Sequence, residues 1–330
     1  MLIDVHGHFV PPAVLAAVEA DPERYGISLE RDEQGPRLRI GGEPPTRPLL
    51  PALRELEQRQ QRLEAQGIRH QVLFTWLDIA GYSLPAEQGA RWSRLQNESL
   101  AASLREHRDP ARFSGLATVP LQDGARAANE LEYAVSRLGM KGAVIASNIH
   151  GRTLDDPGLE PFWQQAEALG APVLIHPVYV AGQERMRAYF LSNLVGNPLD
   201  TTLAAACLMF GGVIDRHPEL QVILVHGGGC LPYVIGRLHW GYQVSAETRR
   251  VARKMPEEYL HWFHYDTLVY KVSLLRYLLQ EVGAGRVLMG SDYPFDIGDP
   301  EPAKIVRAAG LPPAETDRVL GGNARALFHF

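Results

Sequence analysis

The sequence predicts a single (β/α)8 TIM barrel, on three observations. Eight short apolar, β-branched runs recur along its 330 residues, each ending in turn or polar residues. Amphipathic, helix-like stretches fill most of the gaps between them. No GxGxxG or GxxxxGKS/T loop follows any run, which removes the main functional signals of a doubly wound open sheet, the competing fold.

The runs are LIDVHGHF (2–9), HQVLFTWL (70–77), FSGLATVPL (113–121) and KGAVIASN (141–148), followed by APVLIHPV (171–178), LQVILVHGG (220–228), HWFHYDTLV (261–269) and RVLMGSDYPF (286–295). Among the helical stretches, LRELEQRQQRLEAQG places Leu53, Leu56 and Leu63 on one face and ends at Gly67, a C-cap signal. ARAANELEYAVSRLG sets Ala127, Leu131, Ala134, Val135 and Leu138 in a stripe that stops at Gly139. PGLEPFWQQAEALG and VSLLRYLLQEVGAG read alike. Strands alternating with amphipathic helices mean a parallel sheet with right-handed crossovers, and eight such units close a barrel. One segment breaks the rhythm. Residues 21–51 are rich in Pro, Gly and charge, and ISLERDEQGPRLRI within them reads as a hairpin turning at residues 33–36. The organisation expected is one domain over residues 1–330, with this segment inserted across the barrel mouth.

Composition excludes several partners. The net charge of −5 offers no attraction for nucleic acid or an anionic membrane surface. No apolar run approaches the ~20 residues of a membrane span. Asp4 and His6 stand where a signal peptide needs a basic start and an apolar stretch. Two distant cysteines, Cys207 and Cys230, suit a reducing compartment. The expectation is a cytoplasmic protein acting on a small molecule.

In such barrels the active site lies at the carboxyl ends of the strands. The first run ends in His6-Gly7-His8, whose imidazoles at i and i+2 share a strand face at roughly 6.6 Å. The fifth ends at His176, the sixth at His226 and the eighth at Asp292. A lone strand-end His is more often a hydrogen-bonded rim residue, and an Asp after Gly-Ser more often caps a turn. That bland reading would have to hold at all five positions together. The other eight of the twelve histidines fall mostly in helices, loops or strand starts and read as structural, His264 least clearly so. Imidazoles with a carboxylate suit one divalent ion, zinc first and manganese second. The fourth strand ends in Ser147-Asn148, without a lysine to bridge two metals, and Lys141 lies at its other end.

The ordered set of HxH, LIHP, HGGG and GSDYPF resembles the amidohydrolase superfamily. More narrowly it resembles the decarboxylase-rich amidohydrolase family 2, in its aminocarboxymuconate semialdehyde decarboxylase-like members. The likeness spans nearly the whole chain: HGHFVPP, TRPLLPALRELEQR, LATVPLQD, LIHPVYVAGQERM, LVHGGGCLPYVIGRL, VLMGSDYPF and GNARALF. It implies His6, His8, His176 and Asp292 as ligands of one divalent metal, with no organic cofactor. His226 is then the acid/base beside a water activated by that metal, and Asp292 shares in catalysis. Arg47 and Arg237 match positions that hold substrate carboxylates, Arg237 reaching the neighbouring subunit's site, which implies a homodimer. Phe295, also at a strand end, stands to form an apolar wall of the site, while Trp76 reads first as core packing and second as part of that wall. The implied activity is non-oxidative decarboxylation of a small unsaturated or aromatic carboxylate, such as a carboxymuconate semialdehyde or a hydroxybenzoate. The second reading is a hydrolase, hydratase or lactonase on a related carboxylate, and the third a non-enzymatic binding protein on the barrel scaffold.

Overall fold

The computed structural model describes residues 1–330. Eight strands run parallel: β1 (Leu2–His8), β2 (Ile68–Phe74), β3 (Phe113–Gly115, resuming at Ala117–Thr118), β4 (Ala143–Ala146), β5 (Val173–His176), β6 (Val222–Leu224), β7 (His264–Asp266) and β8 (Val287–Leu288). Neighbours in sequence are neighbours in space from β1 to β8. At Leu116 the chain bends: its amide still bonds Leu73 on β2, whereas that of Ala117 bonds Gly142 beside β4. The ring closes between the last strand and the first. Val5 donates its amide to Met289 at 2.9 Å, His8 donates to Tyr293 at 2.8 Å, and Gly7 pairs in parallel with Tyr293.

Each strand is followed by a helix. These are α1 (Leu56–Ala65), α2 (Ala86–Glu106), α3 (Gly124–Leu138), α4 (Glu160–Ala168), α5 (Asn197–Phe210), α6 (Leu231–Val244), α7 (Val272–Val282) and α8 (Pro302–Ala308). Helix α3 shows why the pattern is readable. Asp123 caps its N-terminus by accepting from the Arg126 amide at 3.0 Å, Ala127, Leu131 and Ala134 are buried, and Gly139 ends it in the left-handed region. Helix α2 is harder to read because polar residues interrupt its buried face, which also carries Trp92, Leu100, Ala101 and Leu104. Ser93, Gln96, Asn97 and Ser99 are buried there, and Asn97 bonds both backbone groups of Thr118 at 2.8 Å. No helix is long and apolar enough to cross a membrane.

The strands are shorter than their apolar runs. Pairing stops at Leu224, Asp266 and Leu288, and the rest of each run turns over the top of the barrel. After Val225 the turn is made by Gly227, Gly228 and Gly229, all at positive φ. A Cβ on Gly229 would stand 2.1 Å from the Pro198 carbonyl oxygen, so the close approach of α5 also demands glycine.

The segment after β1 folds as a helix (Pro12–Ala20) and an antiparallel hairpin, Ile27–Asp32 against Gly35–Ile40. It carries its own apolar cluster, in which Val14, Val18, Ile27, Leu38 and Ile40 pack with Trp76 and Trp92. This cluster is separate from the main core between barrel and helices.

Candidate metal centre

Strand β1 delivers two imidazoles at once. A bulge between Asp4 and Gly7 sets an extra residue against β2 and re-aims the strand end. His6 and His8 are sealed from solvent, with Nε2 atoms 3.3 Å apart. Asp292 arrives from the turn after β8, and its Oδ1 lies 3.0 Å from Nε2 of His8 and 3.4 Å from Nε2 of His6. His176, ending β5, stands edge-on to both rings, with centroids 5.4 Å from His6 and 4.9 Å from His8. His226 follows β6, its Nε2 3.9 Å from Oδ2 of Asp292. Donor atoms of His6, His176, His226 and Asp292 all fall within 4.8 Å of one another. His226 and Asp292 both hold positive φ, 56° and 58°. For non-glycine residues that is strained backbone, which the surrounding packing must maintain.

Outer hydrogen bonds settle which nitrogen faces inward. Nδ1 of His6 donates to Oδ2 of Asp266 at 2.8 Å, and Nδ1 of His176 donates to the Pro177 carbonyl at 3.1 Å. Both bonds leave Nε2 as a lone pair aimed at the cluster centre. Lone pairs converging in a buried space repel unless a proton or cation stands between them, so the donor set fits a metal ion.

The electrostatics agree. Burial works against a charged His6, but Asp292 and Asp266 outweigh it and raise its pKa. Burial lowers His8 to about 4 and takes His176 well below the usual imidazole range, aided by the neighbouring histidines. Burial opposes ionisation of Asp292, yet His6, His226 and His8 hold its carboxyl well below the usual carboxylate range. The centre thus offers an ionised carboxylate and neutral imidazoles at His8 and His176, while His6, drawn toward its charged form by the two carboxylates, gives up a proton when an ion takes its place.

Beside the cluster opens a cavity of ≈ 740 Å³, which His176 and Asp292 reach from below. Arg47, Trp76 and Phe295 line one side. The Arg47 guanidinium lies over both rings, 5.1 Å from the Trp76 centroid and 5.6 Å from that of Phe295, and bonds Asp78 at 3.2 Å. Phe295 also packs on His8, with centroids 5.0 Å apart. The loop after β5 adds Val178, Tyr179 and Phe190 to the lining.

A family model described as Amidohydrolase, the second group of that name, matches residues 3–330. The chain belongs to the amidohydrolase family. This amidohydrolase is 35% identical over 268 residues to the 2-amino-3-carboxymuconate-6-semialdehyde decarboxylase of Dictyostelium discoideum, covering 81% of this chain and 74% of that one. Its fold superposes on 5-carboxyvanillate decarboxylase LigW from Sphingomonas paucimobilis with a TM-score of 0.84, at 26% identity over 100% of this chain and 99% of that one. A dihydroxybenzoic acid decarboxylase from Polaromonas sp. JS666 superposes with a TM-score of 0.80 at 24% identity, covering 99% and 96%; its structure holds manganese and 2-nitroresorcinol.

The amidohydrolase gathers seven of the residues singled out from sequence at this end of the barrel: His6, His8, His176, His226, Asp292, Arg47 and Phe295. Arg237 is not among them. It is exposed on α6 and lines no part of the cavity. Asp266 was not anticipated, although it ends β7 as His8 and His176 end β1 and β5. Besides holding His6, it accepts from the amides of Gly227 at 2.8 Å and Leu268 at 3.1 Å.

Proposed function

We propose that this amidohydrolase is a metal-dependent carboxy-lyase that removes CO2, without oxidation, from a small aromatic or unsaturated carboxylate. The observation that carries the reading is the buried cluster of imidazoles and one carboxylate, opening onto a cavity in which an arginine lies over two aromatic rings.

We assign His6, His8, His176 and Asp292 as the metal ligands and leave His226 as the acid/base. Two observations support the division. His226 stands farther from Asp292 than His8 does, 3.9 Å against 3.0 Å, and its side chain is 12% exposed where that of His8 is sealed. A divalent ion bound there supplies Lewis acidity toward water or a substrate oxygen. Zinc suits the nitrogen-rich donors, and manganese, which the Polaromonas relative holds, is the alternative.

The chain's own groups then have distinct tasks. Arg47 grips a substrate carboxylate through paired N–H donors, releasing Asp78 as it does so. Trp76 and Phe295 wall the substrate and exclude water from the bond that breaks. His226 passes a proton to the carbon bearing the departing carboxylate. The C–C bond then breaks, its electrons restore the unsaturation, CO2 leaves, and His226 regains a proton from solvent. Asp292 stays ionised and holds the charge of the protonated imidazole.

We further infer a homodimer in which Arg237 crosses to the partner's cavity. On α6 it lies between Tyr233, Trp240 and Val244, which are 84%, 64% and 61% exposed and share its face at helical spacing. An apolar stripe with a central arginine suits the core of a self-interface. Residues 1–330 read as one domain with residues 21–51 inserted over the mouth, and free Cys207 and Cys230 fit a reducing cytoplasm.

The deciding experiment incubates the metal-analysed protein with dihydroxybenzoates, carboxymuconate semialdehydes and lactones, following CO2 against ring opening. CO2 release stoichiometric with substrate loss, abolished by chelator, is the expected result. Ring opening without CO2 would replace the reading with a hydrolase or hydratase.

A further inference from the structure

Beneath the cluster, out of reach of the cavity, lies a second set of buried polar groups. Asp4 is fully buried and accepts four hydrogen bonds. Its Oδ1 takes the amides of His6 and Ser291, both at 3.0 Å. Its Oδ2 takes Nε2 of Gln71 at 2.6 Å and the Ser291 hydroxyl at 2.5 Å. Gln71 in turn accepts through Oε1 from Nη1 of Arg59 at 3.1 Å. Arg59, on α1, is sealed from solvent; its other terminal nitrogen donates to the His8 carbonyl, and its guanidinium stacks on Tyr293 with 4.4 Å to the ring centroid. The set therefore grips the backbone at His6 and His8 on one strand, and Ser291 and the Tyr293 ring on either side of Asp292. Gly7 completes it: a Cβ there would stand 2.7 Å from Cδ of Gln71, so only glycine lets the amide pass beneath the ligand strand.

We infer that Asp4, acting through Gln71 and Arg59, is a positioning residue that sets the spacing between the His6/His8 strand and Asp292, and with it the affinity of the site for its ion. The inference rests on the ligand assignment proposed above. The polarity of the chain of bonds explains why a carboxylate is needed. Both oxygens of Asp4 face donors only, so an amide in either orientation points an N–H at an N–H. Turning Gln71 to accept would set its own amide donor against Arg59. No rotation relieves the mismatch. Moving the carboxylate one step along does: in Asp4→Asn with Gln71→Glu, residue 71 accepts from both neighbours, and the new amide donates to it while its oxygen keeps the two backbone amides.

The test measures Mn2+ affinity by titration of chelator-stripped protein, thermal unfolding of the same stripped protein, and kcat against KM of the reloaded enzyme. Asp4→Asn should bind Mn2+ about 10- to 100-fold more weakly, the range found when partners of metal ligands are lost, with kcat lowered and KM little changed. The double variant should recover most of that affinity. Asp4→Asn that melts earlier yet binds Mn2+ as the parent does would overturn the inference, as would a double variant no better than the single. Where Asp4→Asn does not fold, Ser291→Ala removes one of the four bonds. It should weaken Mn2+ by about 3- to 10-fold, an order-of-magnitude share of the same loss, and unchanged affinity would count against Asp4. His8→Ala separates the two levels. If it binds Mn2+ as the parent does, the ligand assignment has failed; if it loses the ion while Asp4→Asn does not, only the positioning role has.

Discussion

The Nδ1 of His6 and Oδ2 of Asp266 are 2.8 Å apart, with neither side chain exposed to solvent. This bond joins β1 to the end of β7, and Asp266 also takes the Gly227 amide, so one carboxylate holds the His6 ring and steadies the residue next to His226. Replacing it with Asn leaves His6 free to choose the other tautomer. Asp266→Asn should lower metal affinity about 10- to 100-fold, read by titration of stripped protein; parental affinity would remove Asp266 from the site.

His226 tests the separation of acid/base from ligand. His226→Ala should keep its full complement of ion by elemental analysis while kcat falls by about 10²- to 10⁴-fold, the usual worth of a positioned proton donor. Loss of the ion along with turnover would instead make His226 a ligand.

Arg237 offers a test of shared sites. Arg237→Ala and His226→Ala proteins should each be nearly inactive. When mixed and allowed to exchange subunits, they should regain up to roughly a quarter of parental activity, because a hybrid dimer carries one intact site. Absence of recovery, with hybrids detected, would argue that Arg237 serves its own chain or none.

His264 predicts an acid limit to stability. Burial, with Arg286 adding to it, depresses its folded pKa to about 4. Unfolded, it titrates near 6.5, so above that pH both states are neutral and its contribution is fully present. As pH falls from about 6.5 to 4, the unfolded chain takes up a proton that the folded one refuses, and stability drops by up to about 3 kcal/mol. Urea unfolding of ion-saturated parent and His264→Gln at pH 7 and pH 5 should show the smaller drop in the variant. Equal drops would place the acid sensitivity elsewhere.

Much of the site was legible because a barrel puts chemistry at strand ends, and strand ends can be read from where apolar runs stop. His6, His8, His176, His226 and Asp292 all came from that rule. Asp266 escaped it through a boundary: the run HWFHYDTLV extends to Val269, whereas pairing stops at Asp266, so its carboxylate read as strand interior. The hairpin at 27–40 was visible from alternation and turn residues, its turn falling at Glu33–Gln34. Helix α2 is less legible because Ser93, Gln96, Asn97 and Ser99 break into its buried apolar face, and amphipathic periodicity detects apolar stripes alone. Arg59 hid for a related reason. Among the charges of LRELEQRQQRLEAQG it looks like any solvated side chain, and only packing shows that it is buried.

The seam that closes the barrel joins β1 to β8 and the turn after it, and His8 meets Asp292 across 284 positions of sequence. During synthesis His6 and His8 are made long before Asp292, so that contact waits for the rest of the barrel. Contacts so distant along the chain form late, because their loop-closure cost is repaid only when the intervening units have folded. On the ligand assignment proposed above, the complete four-ligand site therefore forms late in folding. A chain arrested before β8 would hold His6, His8 and His176 but lack Asp292, the one carboxylate of that set.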